Sequence, residues 1–369
     1  MARAGRVNEP LPVAVVGAGR VAHAVYLRLL PDLAREFKLV AVVETDQRRA
    51  HLVKAAYPYL LVTGDLELAV KAGARGAICA TPWATHAQVV SECLDLGLAV
   101  LCEKPVSLDG AEISWLRERE HSAGLPVAVG YMKRHDLAVT AFIEIARDWL
   151  GEARLMTVRI VDPNAPHQVA HLTPAGDLIP SSRTADAAEA RIRRLLPSAS
   201  QDVRTAYAHG LGGSLIHHVN LLNAVLEGSG SSLLGGLSHA SQWDQGRSVS
   251  CEWQPSGTLT IQACHVRVPG HRRYREVVEL VSEHGWAALA LPSPYSRDHG
   301  ARLEAQRWDG ESGLSTRTAD EAAPGQTGFF RQLLAWARSL RDGRLDRLPG
   351  LAEAQQDLAV VLEAAERLT

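Results

Sequence analysis

The chain has 369 residues, 46% of them hydrophobic, and a formal net charge of −2. That is enough length for two domains and enough apolar mass for sizeable cores. The charge balance gives no bulk electrostatic reason to bind nucleic acid or an anionic membrane surface. No apolar stretch approaches the ~20 residues that span a bilayer, and no apolar signal core precedes the first strand. The five cysteines, Cys79, Cys93, Cys102, Cys251 and Cys264, lack both metal-site and disulfide-framework spacing. They read as small buried residues of a reducing compartment, so the expectation is a cytoplasmic protein.

From residue 11 short β-branched runs alternate with helical segments. "LPVAVVG" precedes "RVAHAVYLRLLPDL", and "FKLVAVVE" precedes "TDQRRAHLVKAA". "GAICA", "LAVLCEK" and "PVAVGY" follow, with helices between them. Nearly continuous apolar strands separated by helices predict a doubly wound parallel sheet, covered on both faces, over residues 1–130. The texture changes after the helix "HDLAVTAFIEIARDWLG". "EARLMTVRIVD", "LLGGLSHASQW", "RSVSCEWQ", "GTLTIQACHVRV" and "YREVVELVSEHG" alternate polar with apolar residues. That pattern predicts an α+β domain over 131–369 with an open, mostly antiparallel sheet that has one wet face. Between them, 162–210 reads as an irregular excursion carrying a helix around "ADAAEARIRRLL", and two helices close the chain. Trp115, Trp149 and Trp336 fall on amphipathic helices and read as core.

The first strand runs into "GAGRVA". Gly17 suits a tight turn, Gly19 lets a pyrophosphate approach the backbone, and Ala22 permits close helix packing. The helix that opens at Arg20 and Val21 offers unpaired N–H groups and a positive dipole end to phosphates. At the end of the second strand, Glu44 stands where an acid accepts hydrogen bonds from the adenosine ribose, or else caps the next helix. Its charge opposes a 2′-phosphate, which favours NAD over NADP. Arg48 and Arg49 keep NADP open.

Three further landmarks follow strand ends: "ATPWATH", "CEKP" and "VGYMKRHD". Together with the glycine turn they resemble the Gfo/Idh/MocA oxidoreductase family, named for glucose–fructose oxidoreductase, inositol dehydrogenase and a rhizopine-catabolism protein. The resemblance implies NAD(P)-dependent dehydrogenation or reduction of a sugar, cyclitol or related polar metabolite. It also implies a homo-oligomer, dimer or tetramer, assembled through the outer face of the second sheet. Glu103, Lys104 and Pro105 match the family's Glu-Lys-Pro, and by that match the Lys104–Pro105 bond is expected to be cis. Strand C-terminal ends form the ligand crevice of such a sheet, so Lys104 is the candidate acid/base beside nicotinamide and substrate. Thr81, Pro82, Trp83 and His86 belong to the loop beside the cofactor, with Trp83 standing where the family usually has asparagine. Lys133 and Arg134 are candidates for substrate contact.

The match weakens in the second domain. Many family members carry a glycine run and then an Asp-x-x-x-His pair on a helix. Here the stretch reads "HGLGGSLIHHVNLLNAVLEG". Counting from Gly212 and Gly213 puts His218 in the aspartate slot and Leu222 in the histidine slot. Another register puts Asn220 or His217 there. His217, His218 and Asn220 therefore all stand as candidates for catalysis or substrate binding, the two histidines about 100° apart around the helix. "HQVAH" spaces His167 and His171 for chelation, but prolines surround it and no third ligand follows, so no metal is expected. Two other functions fit the same residues: a lyase or epimerase using tightly held NAD without net redox, and an NAD-binding sensor without turnover.

Overall fold

The computed structural model describes residues 9–163, 182–296, 300–308, 310, 314–320, 327–343 and 348–368. The chain divides into two compact units. One comprises Met1–Gly130, Val169–Arg191 and Gln332–Ala354; the other comprises Tyr131–Gln168, Ile192–Arg331 and Gln355–Thr369.

The first unit is built on six parallel strands: β1 (Leu11–Val16), β2 (Phe37–Val43), β3 (Leu61–Thr63), β4 (Gly76–Cys79), β5 (Ala99–Cys102) and β6 (Val127–Val129). They lie in the order β3-β2-β1-β4-β5-β6, the doubly wound order that leaves a crevice where it reverses between β1 and β4. All four residues of β4 and of β5 are buried, as continuous apolar strands between two helical layers require. The intervening helices are α1 (Leu27–Asp32), entered through a π-helical turn over Ala22–Tyr26, α2 (Gln47–Ala56), α3 (Leu66–Lys71), α4 (Trp83–Asp95) and α5 (Gly110–Ala123). Asp46, Asp65 and Asp109 cap α2, α3 and α5 by accepting first-turn amides, so aspartate defines where three of these helices begin.

The second unit opens with α6 (Leu137–Asp148) and β7 (Ala153–Asp162). Helix α7 (Ser182–Leu195) follows, shared between the units, then α8 (Gln201–Thr205), a π-helical stretch Ala206–Leu215 and α9 (Ile216–Leu226). Seven more strands are β8 (Leu237–Trp243), β9 (Ser248–Trp253), β10 (Thr260–Arg267), β11 (Arg275–Ser282), β12 (Gly285–Leu291), β13 (Arg302–Trp308) and β14 (Leu314–Asp320). The sheet order is β14-β13-β12-β11-β7-β10-β9-β8. Every pairing is antiparallel except β7 with β10, which run parallel. The alternation in the sequence marks β7 to β11 but not β12 to β14. The run "GWAALAL" of β12 is alanine-rich with little strand propensity, and it is held by pairing to β11 and β13. The chain closes with α10 (Gly328–Asp342) and α11 (Leu351–Glu366).

Two of the three helical tryptophans are core. Trp336 is fully buried, stacks on Phe37 with centroids 5.6 Å apart, and comes so close to β4 that a Cβ on Gly76 would sit 3.1 Å from its ring. Trp149 is 6% exposed. Trp115 corrects the expectation, being 42% exposed. Helix α5 buries only Ile113 and Leu116, and Trp115 lies on the side turned to water.

Asp357 on α11 is buried and ties α11 to α9. It accepts from Asn220 Nδ2 and Asn223 Nδ2, each at 2.8 Å, and from Tyr131. Burial pushes its carboxyl up from 3.8 to about 6, outweighing these donors and Arg134 nearby. The folded chain therefore keeps a proton that the unfolded chain releases. Its contribution is full below pH 3.8 and is lost as pH rises through about 6. Denaturant titrations should show about 3 kcal/mol of stability lost across that window, and Asp357→Asn should flatten the loss.

Candidate active site

In the first unit the crevice starts at Gly17, which follows β1 with φ +92°. A Cβ there would lie 2.8 Å from both Ala80 O and Thr81 N, so only glycine lets β1 and β4 end side by side. Gly19 differs: the nearest atom to a Cβ is Ala80 O at 3.9 Å. The fold itself does not need glycine there. Space is open above its backbone, and Arg20 and Val21, both half-buried, start the helix beside it.

Glu44, 8% exposed, reaches the same turn. Its Oε2 accepts from Ala18 N at 2.8 Å and from Arg49 Nε at 3.1 Å. Its Oε1 accepts from Asp46 N at 2.8 Å and from Arg49 Nη2 at 3.4 Å. Asp46, and not Glu44, caps α2. A carboxylate has about four lone-pair positions, and here all are engaged. The two backbone donors aim the group, while Arg49 holds the positions a ribose diol would need.

The landmarks after β4 and β5 are joined. Thr81 and Pro82 form the turn into α4, with Trp83 half-buried at its first position. His86, one helical turn on, is 2% exposed. Its Nε2 lies 2.7 Å from Thr81 O and its Nδ1 2.8 Å from Pro105 O. The Lys104–Pro105 peptide bond is cis. Glu103 is buried; it accepts from Tyr26 Oη at 2.6 Å and from Lys104 N at 3.2 Å. Burial raises its carboxyl, against the Tyr26 hydrogen bond and the Lys104 charge. Lys104 is half-buried beside these groups, at the mouth of the crevice that holds Gly17 and Gly19.

In the second unit the candidates fall into two clusters, both centred on carboxylates absent from the sequence reading. Lys133, 6% exposed, makes an ion pair with Glu276 of β11, which is 2% exposed. His218 Nε2 lies 2.8 Å from the same Oε1, and Tyr274 Oη donates to Oε2. Burial opposes the charge on Glu276, but Lys133 and His218 outweigh it and hold the carboxyl far below its ordinary value. Burial and the Lys133 charge depress His218. The imidazole is thus neutral and donates through Nε2, with Nδ1 buried and without a hydrogen-bond partner among the described residues. Glu276 could have been found: it sits in phase with Val278 and Leu280 on the covered face of "REVVELVS", where an acid needs a partner. The second cluster joins Arg134 to Asn220, Nη1 to Oδ1 at 3.3 Å, and Asn220 to Asp357. His217 stands beside the second cluster, against the Tyr131 that donates to Asp357. It is half-buried and meets Tyr131 edge-on with ring centroids 6.3 Å apart. His167 and His171 lie outside the described residues. Among the described residues no cluster of three or more His, Cys, Asp or Glu could hold a metal ion, and no helix is long and apolar enough to cross a membrane.

A doubly wound parallel sheet with a glycine turn after β1 and a lysine at the end of β5 is a Rossmann unit, here followed by an α+β unit. Residues 11–131 match the oxidoreductase family with an NAD-binding Rossmann fold, Gfo/Idh/MocA. It is 30% identical over 164 residues to an inositol 2-dehydrogenase of Arthrobacter sp. (strain FB24), covering 43% of this chain and 48% of that one. The matched stretch thus spans about half the length of such relatives. Solved structures share the fold over nearly the whole chain. An oxidoreductase from Agrobacterium radiobacter, in complex with NAD+, L-tartaric acid and magnesium, has a TM-score of 0.68 at 14% identity, covering 96% of each chain. KijD10, a 3-ketoreductase from Actinomadura kijaniata in complex with NADP, has a TM-score of 0.69 at 14% identity, covering 97% of this chain and 98% of that one.

A ribose role for Glu44 makes cofactor preference depend on the Glu44–Arg49 pair. Calorimetry should give tighter binding of NADH than of NADPH, and Glu44→Ala should narrow the gap. Arg49→Leu, which frees the carboxylate and removes a cation a 2′-phosphate could use, should widen it by about tenfold. Tighter NADPH binding by the unmodified chain would overturn the role of Glu44.

Proposed function

We propose that this chain is an NAD-dependent oxidoreductase acting on a secondary alcohol or ketone of a sugar, cyclitol or related small polar metabolite. The observation that carries this reading is Lys104, held half-buried at the end of β5 in the same crevice as the Gly17–Gly19 turn. The inositol 2-dehydrogenase relatives support the substrate class.

NAD, when bound, supplies the hydride acceptor or donor. Gly17, Gly19, Arg20 and Val21 hold its phosphates, Glu44 its adenosine ribose, and Thr81, Pro82 and Trp83 border it. The Lys104 ammonium donates a hydrogen bond to the reacting oxygen and exchanges a proton at Nζ. Charge developing on that oxygen is stabilised in a site with little competing water. A histidine of α9 is proposed to share the acid/base work, by the family resemblance. His217 is the better candidate because it is half-open, and a group that trades protons with substrate needs access. His218 is sealed and committed to Glu276, as is Lys133, so these two support the substrate side through the carboxylate they share. Arg134 and Asn220 support it through Asp357 in the same way.

Assembly through the outward face of the eight-stranded sheet fits its exposed Val281, Trp308 and Leu314. In β10 it is Thr260, Gln262, Cys264 and Val266 that face outward, while Ile261 and Ala263 are buried. Light scattering at micromolar concentration should therefore give a dimer or tetramer.

Lys104→Met keeps the length of the side chain and removes its charge. Turnover of a polyol panel should fall by a hundredfold or more, about 3 kcal/mol, while NADH affinity moves little. His217→Ala should flatten the pH–rate profile near neutrality. His218→Ala should mainly lower stability, because it takes a partner from a buried carboxylate. Turnover that survives Lys104→Met would remove the lysine from the mechanism.

A further inference from the structure

We infer that His86 is a positioning residue for Lys104: its ring clamps the turn after β4 to the turn after β5, and so fixes the backbone from which the lysine side chain rises. This inference rests on the catalytic role proposed for Lys104.

The two ring nitrogens face two carbonyl oxygens, Thr81 O at 2.7 Å and Pro105 O at 2.8 Å. A carbonyl oxygen only accepts. Both contacts are therefore satisfied only when both nitrogens carry hydrogen. A neutral ring serves one carbonyl and turns a lone pair towards the other. Burial, joined by the Lys104 charge, outweighs the two carbonyls and lowers the pKa of the ring, which favours the neutral form. The ring is enclosed, at 2% exposure, donating to one carbonyl and held within 2.8 Å of the other. It has no face left for a ligand.

The position of the two carbonyls gives the contact its function. Thr81 O belongs to the turn whose Ala80 and Thr81 backbone touches Gly17. Pro105 O belongs to the residue immediately after Lys104. The ring thus sets the distance between the nucleotide turn and the lysine, the quantity on which hydride and proton transfer to one substrate depends. Other contacts steady the same loop from further out: Ser107 Oγ donates to Glu112 at 2.5 Å, and Arg191 pairs with Glu112 and donates to Ala84 O. None of those spans the two turns at the lysine itself.

His86→Leu fills the space without a donor, and His86→Gln keeps one amide donor. In the full chain, hydrogen–deuterium exchange should quicken at residues 103–109 by at least about tenfold in His86→Leu, with β1 unchanged. Turnover at saturating cofactor should drop by about tenfold or more, while NADH affinity stays within about threefold. His86→Gln should recover part of both losses, and it gives the same readout if the leucine variant does not fold. Exchange at 103–109 that matches the unmodified chain in both variants would overturn the clamp. So would a collapse of NADH affinity with normal turnover at saturation, which would make His86 a cofactor ligand. If the unmodified chain turns over no polyol, the oxidoreductase reading fails, and exchange at 103–109 still decides the clamp.

Discussion

The first unit depends on how closely β1 can approach β4. Gly17 lies against the Ala80–Thr81 backbone at a distance no side chain allows, and everything functional is referenced to that contact. It lets the helix start rise at Arg20 beside the strand ends. It brings Ala18 N under the Glu44 carboxylate. It also makes the turn at Thr81 a fixed point from which His86 can reach Pro105. The glycine turn, Glu44 and the backbone at Lys104 are thus held in register through main-chain groups.

The second unit is organised differently, around buried charge. Glu276 and Asp357 each sit in apolar surroundings, and each gathers the polar candidates nearby. Glu276 is ionised because a cation is beside it, whereas Asp357 has amides and a phenol as its direct donors and titrates near neutrality. Breaking either cluster from one side leaves an uncompensated group, so substitutions there act on folding before they act on chemistry.

The parallel sheet, its strand order and the landmark loops were readable because their constraints are local. A glycine pair at a strand end, continuous apolar runs and Glu-Lys-Pro each carry their meaning within a few residues. The carboxylates that bind Lys133, His218 and Asn220 were not readable from those residues alone. Each partner comes from a distant strand or helix, and only the fold brings them together. Glu276 left one trace, an acid in the buried phase of its strand. Trp115 misled for the converse reason: an amphipathic helix says that one face is buried, but not how wide that face is. Strands β12 to β14 lack propensity of their own and owe their conformation to their neighbours.

The parallel pairing of β7 with β10, alone in its sheet, bears on how the chain is made. Both neighbours of β7, β10 and β11, come later in the sequence. During synthesis the central strand therefore emerges before any strand it pairs with. Until the stretch from Asp162 to Thr260 has been made, β7 carries two bare edges, the condition in which nascent strands stick to one another.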